Sequence, residues 1–143
     1  MIDSIEAWHY RARPVPKQED FNVQLGCHFE EILEMLNVIR LDKFDGERFR
    51  AEQVIGALAN MLKSGQVSAE IIDRKEFLDS VADQVVTSIG AAYCARMSPA
   101  VALREVDKSN WSKFDENGDP IRNRNGKIIK GPNYVKPNLT GLY

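Results

Sequence analysis

Cysteine is scarce in this chain. Its 143 residues include two, Cys27 and Cys94, both inside apolar helical patterns and without any CxxC or Cys/His spacing. That scarcity argues against a disulfide framework and against zinc, and predicts reduced thiols in a cytoplasmic protein. Also lacking is a run of 18 apolar residues, and the opening MIDSIEAWHY has no basic start followed by an apolar stretch. Neither a membrane span nor an export signal is therefore predicted. Positive charge is in no excess either: 19 Lys and Arg against 21 Asp and Glu leave a net charge of -2. Binding to a phosphate backbone depends on clustered Lys and Arg, so general affinity for nucleic acid is not expected, whereas a small anionic ligand is compatible with this balance.

What is present is apolar material at helical period. A hydrophobic content of 43% in 143 residues is enough to fill one core, and no internal repeat interrupts the chain, so a single domain is expected. A short amphipathic stretch around Ile5–Arg11 is stopped by Pro14 and Pro16, after which Asp20 or Asn22 can cap a new helix. From Asn22 to about Leu41, the residues Leu25, Phe29, Ile32, Leu36 and Ile39 recur at spacings of three and four, which predicts a core-facing stripe. Asp45 to Lys63 repeats the pattern with Phe49, Val54, Leu58 and Leu62, and Ser64-Gly65 reads as its stop. A long helix from Asp73 or Arg74 to about Met97 carries Phe77, Leu78, Val81, Val85, Ile89 and Tyr93 as its apolar face, with Gly90 inside it suggesting a close helix contact. Ser98-Pro99 opens a shorter helix through about Trp111. Beyond Phe114, Ile121 to Ile129 reads as a small hairpin around Asn125-Gly126, followed by an irregular tail. The prediction is an all-α bundle of four to five helices, core about 20–114, with the hairpin and tail about 115–143 as an appendage.

Acidic residues crowd two of these helices. Glu30, Glu31 and Glu34 lie three and four apart, on one side of their helix. Asp79 and Asp83 are likewise four apart on the later helix, with Glu76 three before Asp79. Like charges one turn apart destabilise a helix by roughly 0.2–0.5 kcal/mol per pair, and two such rows brought together would cost more, so a cation is expected to offset them. No Arg or Lys lies within either row; Arg40 and Lys75 are peripheral. Carboxylate-only ligands favour a hard ion, Mg²⁺ or Mn²⁺. The plainer reading is a solvated acidic face. Against it, Glu30, Glu31 and Glu34 lie among Phe29, Ile32, Leu33, Met35 and Leu36, at the margin of a core.

The two rows, EEILE and DSVAD, resemble the all-alpha nucleoside triphosphate pyrophosphohydrolase superfamily that includes MazG, dimeric dUTPases and phosphoribosyl-ATP pyrophosphohydrolases. That superfamily carries EExxE on one helix and ExxD on a later one. Glu30, Glu31 and Glu34 match the first half, while Ser80 stands three before Asp83 and the second acid comes from Asp79, or from Glu76 if Glu76 and Asp79 form the ExxD. QLGCHFEE, SNWSKFDENG and KGPNY are similar to segments of phage-encoded members. The resemblance implies a hydrolysis in which two or three Mg²⁺ ions polarise the phosphates and water attacks phosphorus, releasing a nucleoside monophosphate and pyrophosphate. Glu30 or Glu31 would be the base, and Glu30, Glu31, Glu34, Asp79 and Asp83 the metal ligands. It also implies a homodimer or homotetramer whose subunits complete each site, and makes a purine triphosphate such as dGTP a candidate substrate, with dUTP or phosphoribosyl-ATP as same-chemistry alternatives. A non-catalytic acidic module binding a basic partner is the alternative of a different class.

Supporting residues each have a plainer role beside the functional one. Lys108 and Lys113, with Asn110 between them, could bind outer phosphates or finish a solvated helix end. Gln24 and His28 form a ridge with Glu31 that could approach base or sugar, though His28 equally suits a structural hydrogen bond. Trp8, Trp111 and Tyr134 could stack on a base, and Tyr134, with Asn133 in the GPNY loop, suits that role best. Asp115 to Asp119 reads as a turn and not a calcium loop, because its glycine is early and no bidentate Glu follows.

Overall fold

The computed structural model describes residues 2–38, 45–123 and 128–143, with the side chains of 45–49 left aside. Among the described residues the fold is all-α, with five helices: α1 Ile2–Ala12, α2 Gln18–Asn37, α3 Asp45–Lys63, α4 Arg74–Cys94 and α5 Pro99–Trp111. None of them is long and apolar enough to cross a membrane. The chain divides into two compact units, one made of Met1–Val15 with Asp73–Tyr143 and the other of Pro16–Ile72.

The unit 16–72 is a helical hairpin. α2 begins four residues before the predicted Asn22: Lys17 is its extended N-cap, and the Asp20 carboxylate accepts the Lys17 N–H at 3.0 Å. Asp20 thus caps by reaching back one turn, and Asn22 lies within the helix, buried. Leu25, Phe29, Ile32 and Leu36 are half-buried, and α2 packs against α3, where Ala59 and Leu62 are buried. The predicted end of α2 at Ile39–Leu41, together with Arg40, and the Phe49 side chain fall outside the described residues. α3 stops where Ser64-Gly65 predicts: Gly65 has φ 75, a region open to glycine, and Gln66 N–H returns to Met61 O at 2.9 Å. The segment after it is pinned by Asn22, whose Oδ1 accepts from Ala69 N–H at 3.0 Å and from Gln18 Nε2 at 3.0 Å, while its Nδ2 donates to Ser68 Oγ at 3.1 Å. Asn22→Ala leaves the half-buried Ala69 N–H without that partner. The expected loss is about 1–3 kcal/mol, read from urea unfolding, with faster proteolysis in 64–72.

In the other unit, α1 lies against α5. Trp8 Nε1 donates to Asn110 O at 2.9 Å and Trp111 Nε1 to Ser4 Oγ at 3.0 Å. Phe114, 4% exposed, stacks on Trp8 at 5.5 Å between centroids and meets Trp111 edge-on at 5.4 Å. These rings pack around the buried Phe114, and half-buried indole N–H groups need the partners they have. Asp115 organises the turn after α5, its Oδ1 accepting from Asn117 and Asp119 N–H at 2.9 and 2.8 Å. Antiparallel bridges pair Phe114 with Pro120 and Arg122 with Ile128, in keeping with two arms of a hairpin whose Asn125-Gly126 turn lies outside the described residues. The tail is irregular but docked. It runs back along α5, with Val135 N–H on Ser112 Oγ at 2.8 Å and Ser98 N–H on Leu142 O at 2.9 Å.

α4 departs from expectation in two ways. It ends at Cys94, three residues before Met97, with Arg96 at φ 62 and Met97 N–H returning to Ala92 O at 3.0 Å. Pro99 disfavours helical backbone at Ser98, so the chain must leave the helix here. Its apolar face also lies open: no α4 residue is buried, and Leu78, Val81, Val85, Ile89 and Tyr93 are all exposed, Leu78 by 69% and Tyr93 by 73%. Periodicity identifies which face is apolar and says nothing of what covers it. Gly90 likewise has no close neighbour, since a Cβ built there meets nothing within 4 Å, contrary to the predicted close helix contact.

His9 on α1 is half-buried against Trp8, ring centroids 5.0 Å apart. Burial first, and then the Arg13 charge, hold its pKa below 6.5. The unfolded chain therefore takes up a proton at a higher pH than the folded one. Stability is expected to be full above pH 6.5 and to fall as the pH drops below it, levelling off once the folded histidine also protonates. Melting temperature against pH should show this fall, and His9→Gln should flatten it.

Candidate functional site

The first acidic row stands on α2. Glu30 is half-buried and Glu31 and Glu34 are exposed, because the residues that interleave with them, Phe29, Ile32 and Leu33, take the inner positions against α3. α3 supplies what neither row contains, a cation. Lys63 Nζ lies 2.7 Å from Glu30 Oε2, and that hydrogen bond is the main reason the Lys63 pKa is raised. Glu30 therefore already has a counter-charge, so part of the repulsion expected to need a bound ion is offset within the hairpin. With side chains 28% and 45% exposed, the pair is worth under about 1 kcal/mol by itself.

Glu34 forms no ion pair among the described residues. The second row, Asp79 and Asp83, is exposed on α4, as is Glu76. Asp73 before them is the N-cap, accepting from Lys75 and Glu76 N–H at 3.0 Å each. The carboxylates of Asp79 and Asp83 also form no ion pair among the described residues. The rows belong to different units, α2 to 16–72 and α4 to the other. Among the described residues, no three His, Cys, Asp or Glu side chains gather closely enough to hold one ion. As donors, Glu31, Glu34, Asp79 and Asp83 fit a hard divalent ion, since all are carboxylates exposed to water. Glu30 fits only by giving up Lys63.

The supporting residues separate. Gln24 and His28 are exposed on α2, and the His28 ring is 6.4 Å from that of Phe29, centroid to centroid. Lys108 is committed to Glu105, at 2.8 Å, and holds that carboxyl below its ordinary range. Asn110 and Lys113 do come together, and the tail docks nearby through Val135 N–H on Ser112 Oγ. Lys113 Nζ donates to Asn110 Oδ1 at 2.7 Å and stands 5.9 Å from the Trp8 ring centroid. Asn133 is exposed beside Tyr134.

Two residues escaped the sequence reading. Lys63 was legible in principle, because two helices joined by a short connection pack antiparallel, which sets the end of α3 beside the middle of α2. Lys130 had no such signal. It sits in an irregular segment, and only the docked tail brings its Nζ to 4.8 Å from the Tyr134 ring centroid. The predicted base-stacking face of Tyr134 thus carries a lysine. The Tyr134 hydroxyl is hydrogen-bonded with Ser109, the main cause of a lowered pKa to which the Lys130 and Lys113 charges add.

Compared with protein-family models, with curated proteins and with solved structures, the chain has no significant match.

Proposed function

We propose that this chain is a Mg²⁺-dependent nucleoside triphosphate pyrophosphohydrolase, with Mn²⁺ as a substitute, releasing a nucleoside monophosphate and pyrophosphate. The observation that carries the reading is the Glu30, Glu31, Glu34 row on α2 with the Asp79, Asp83 row on α4, the pattern that resembles the all-alpha pyrophosphohydrolases. Consistent with it, Glu34, Asp79 and Asp83 are solvent-exposed carboxylates without ion-pair partners among the described residues. Glu31, Glu34, Asp79 and Asp83 would hold the ion, which when bound neutralises charge on the phosphate oxygens. Glu30 or Glu31 would accept the proton of the attacking water. A purine triphosphate is the first substrate to try.

The reading includes a homodimer or homotetramer. An exposed α4 face that runs through Leu78, Val81, Val85, Val86, Ile89 and Tyr93 is of the kind oligomers cover. Association would also bring acidic rows of different copies within reach of one another. Light scattering at working concentration should give two or four times 16.2 kDa.

A second reading is favoured by one observation, the Lys63–Glu30 pair at 2.7 Å. With part of its charge offset, the α2 row can serve as a solvated acidic face that binds a basic partner without turnover. Pyrophosphate release from a panel of nucleoside triphosphates with Mg²⁺ or Mn²⁺ decides between them. Turnover of at least one nucleotide supports the hydrolase; a silent panel from folded, oligomeric protein sinks it.

A further inference from the structure

α4 presents more apolar surface than a lone chain ordinarily leaves open. Weighted by their exposures, Leu78, Val81, Val85, Val86, Ile89 and Tyr93 present roughly 700 Å², within the range that each partner gives to a standard-size protein interface. The surface is not uniform along its length. At its N-terminal end Leu78 projects, 69% exposed. At its C-terminal end, where the chain turns from α4 into α5, Ile89, Gly90, Tyr93, Met97, Pro99 and Val101 line an open cavity of about 530 Å³. Gly90 keeps one wall free of a side chain, with nothing within 4 Å of where a Cβ would stand. No charged residue among those described lines the cavity. Between the two ends, Val81, Val85 and Ile89 recur every four residues and form one ridge.

A projection at one end and a hollow at the other do not match in a parallel pair, which sets hollow on hollow. An antiparallel two-fold pair sets each projection against the other copy's hollow, twice over. We propose that a second copy of this chain covers α4, the two helices running antiparallel about a two-fold axis beside Val85, the midpoint of the ridge. Val81 of one copy then faces Ile89 of the other, and Leu78 reaches the other copy's cavity beside Tyr93. Asp79 and Asp83 lie to one side of the apolar stripe, so the pairing leaves them in water at its rim. The pairing specifies the oligomer included in the hydrolase reading and rests on that part of it, and it requires no turnover.

Sedimentation velocity of the full chain should give a dimer, or a pair of such dimers, that added salt does not weaken, because apolar burial and not charge drives it. Val85→Asp sets two carboxylates against one another at the axis and should raise the dissociation constant at least about a hundredfold. Leu78→Ala inserts no charge and should raise it at least about tenfold. Both side chains are exposed in the single copy, so circular dichroism should show the helices kept. Val54→Asp, on α3 and as exposed as Leu78, should leave the assembly within about twofold. Oxidative cross-linking, with Cys27→Ala and Cys94→Ser in the background, reads the direction of the helices. Val85→Cys should cross-link to itself. Val81→Cys and Ile89→Cys should each fail to, because their two copies stand about 12 Å apart along the helix, beyond disulfide reach; mixed, they should cross-link to each other. A monomer overturns the proposal, as does equal weakening by Val54→Asp, or self-cross-linking of Val81→Cys as strong as that of Val85→Cys. The cross-links need no substrate, so a silent nucleotide panel from the cross-linked dimer sinks the hydrolase alone, and turnover by a monomer sinks the pairing alone.

Discussion

Glu34→Gln and Asp83→Asn are each expected to lower pyrophosphate release at least about a hundredfold, the scale seen when one fixed electrostatic group is removed from a reacting site, while the fold is kept. Both side chains are exposed and form no ion pair among the described residues, so the exchange of a charge for an amide breaks no internal contact. The hydrogen bond near Asp83, from Thr87 Oγ1 at 2.8 Å, goes to the backbone carbonyl and survives. Stability should stay within about 0.5 kcal/mol of the parent, as for surface changes away from special features. Relief of like-charge repulsion can even raise it slightly. Higher Mg²⁺ should restore part of the rate, because a lost ligand weakens ion binding before it alters the reaction. Glu30→Gln is the contrasting case, since it also releases Lys63. It should change stability and rate together. Full turnover in both Glu34→Gln and Asp83→Asn, measured on a nucleotide the parent hydrolyses, would remove the acidic rows from the chemistry.

Helix periodicity was the most readable feature of this sequence. α3 and α5 begin and end where spacing, Gly65 and Pro99 predict, because those stops are local chemistry. α2 starts earlier than the apolar stripe does, for a reason that is also local: Asp20 caps backwards onto Lys17. Fold class followed from the same periodicity. What the sequence could not supply is which surface covers which. α4 carries a regular apolar face that the chain itself leaves exposed, and Gly90, whose conformational cost suggests a close neighbour, has none. The acidic site divides similarly. That Glu30, Glu31 and Glu34 share a helix side is geometry fixed by 3.6 residues per turn. That one of them is paired with Lys63 depends on the packing of a second helix, and that Lys130 reaches Tyr134 depends on how an irregular tail docks. Both are tertiary facts without a periodic signal.

The strongest single constraint on the 16–72 hairpin is expected at Gly26, where Gly26→Val should destabilise by about 3 kcal/mol or more. Over-packing a close contact typically costs 1–3 kcal/mol, and more where backbone must move. A Cβ at Gly26 would lie 2.8 Å from the Ala59 carbonyl oxygen, 2.7 Å from Lys63 Cγ and 3.3 Å from Leu62 Cβ. The lysine stem can swing aside. The carbonyl cannot, since it is part of α3, so α2 and α3 must separate and loosen the contacts of buried Ala59 and Leu62. Lys63 would be displaced at the same time, taking its ammonium from Glu30. Gly26→Ala should show the same effect in smaller measure. Gly90→Ala is the control: no atom lies within 4 Å of the added methyl, so the higher helix propensity of alanine should stabilise α4 by up to about 1 kcal/mol. Urea unfolding of the three variants checks the order. If Gly26→Val proves as stable as the parent, the close approach of α2 and α3 is wrong, and with it the placement of Lys63 beside the first acidic row.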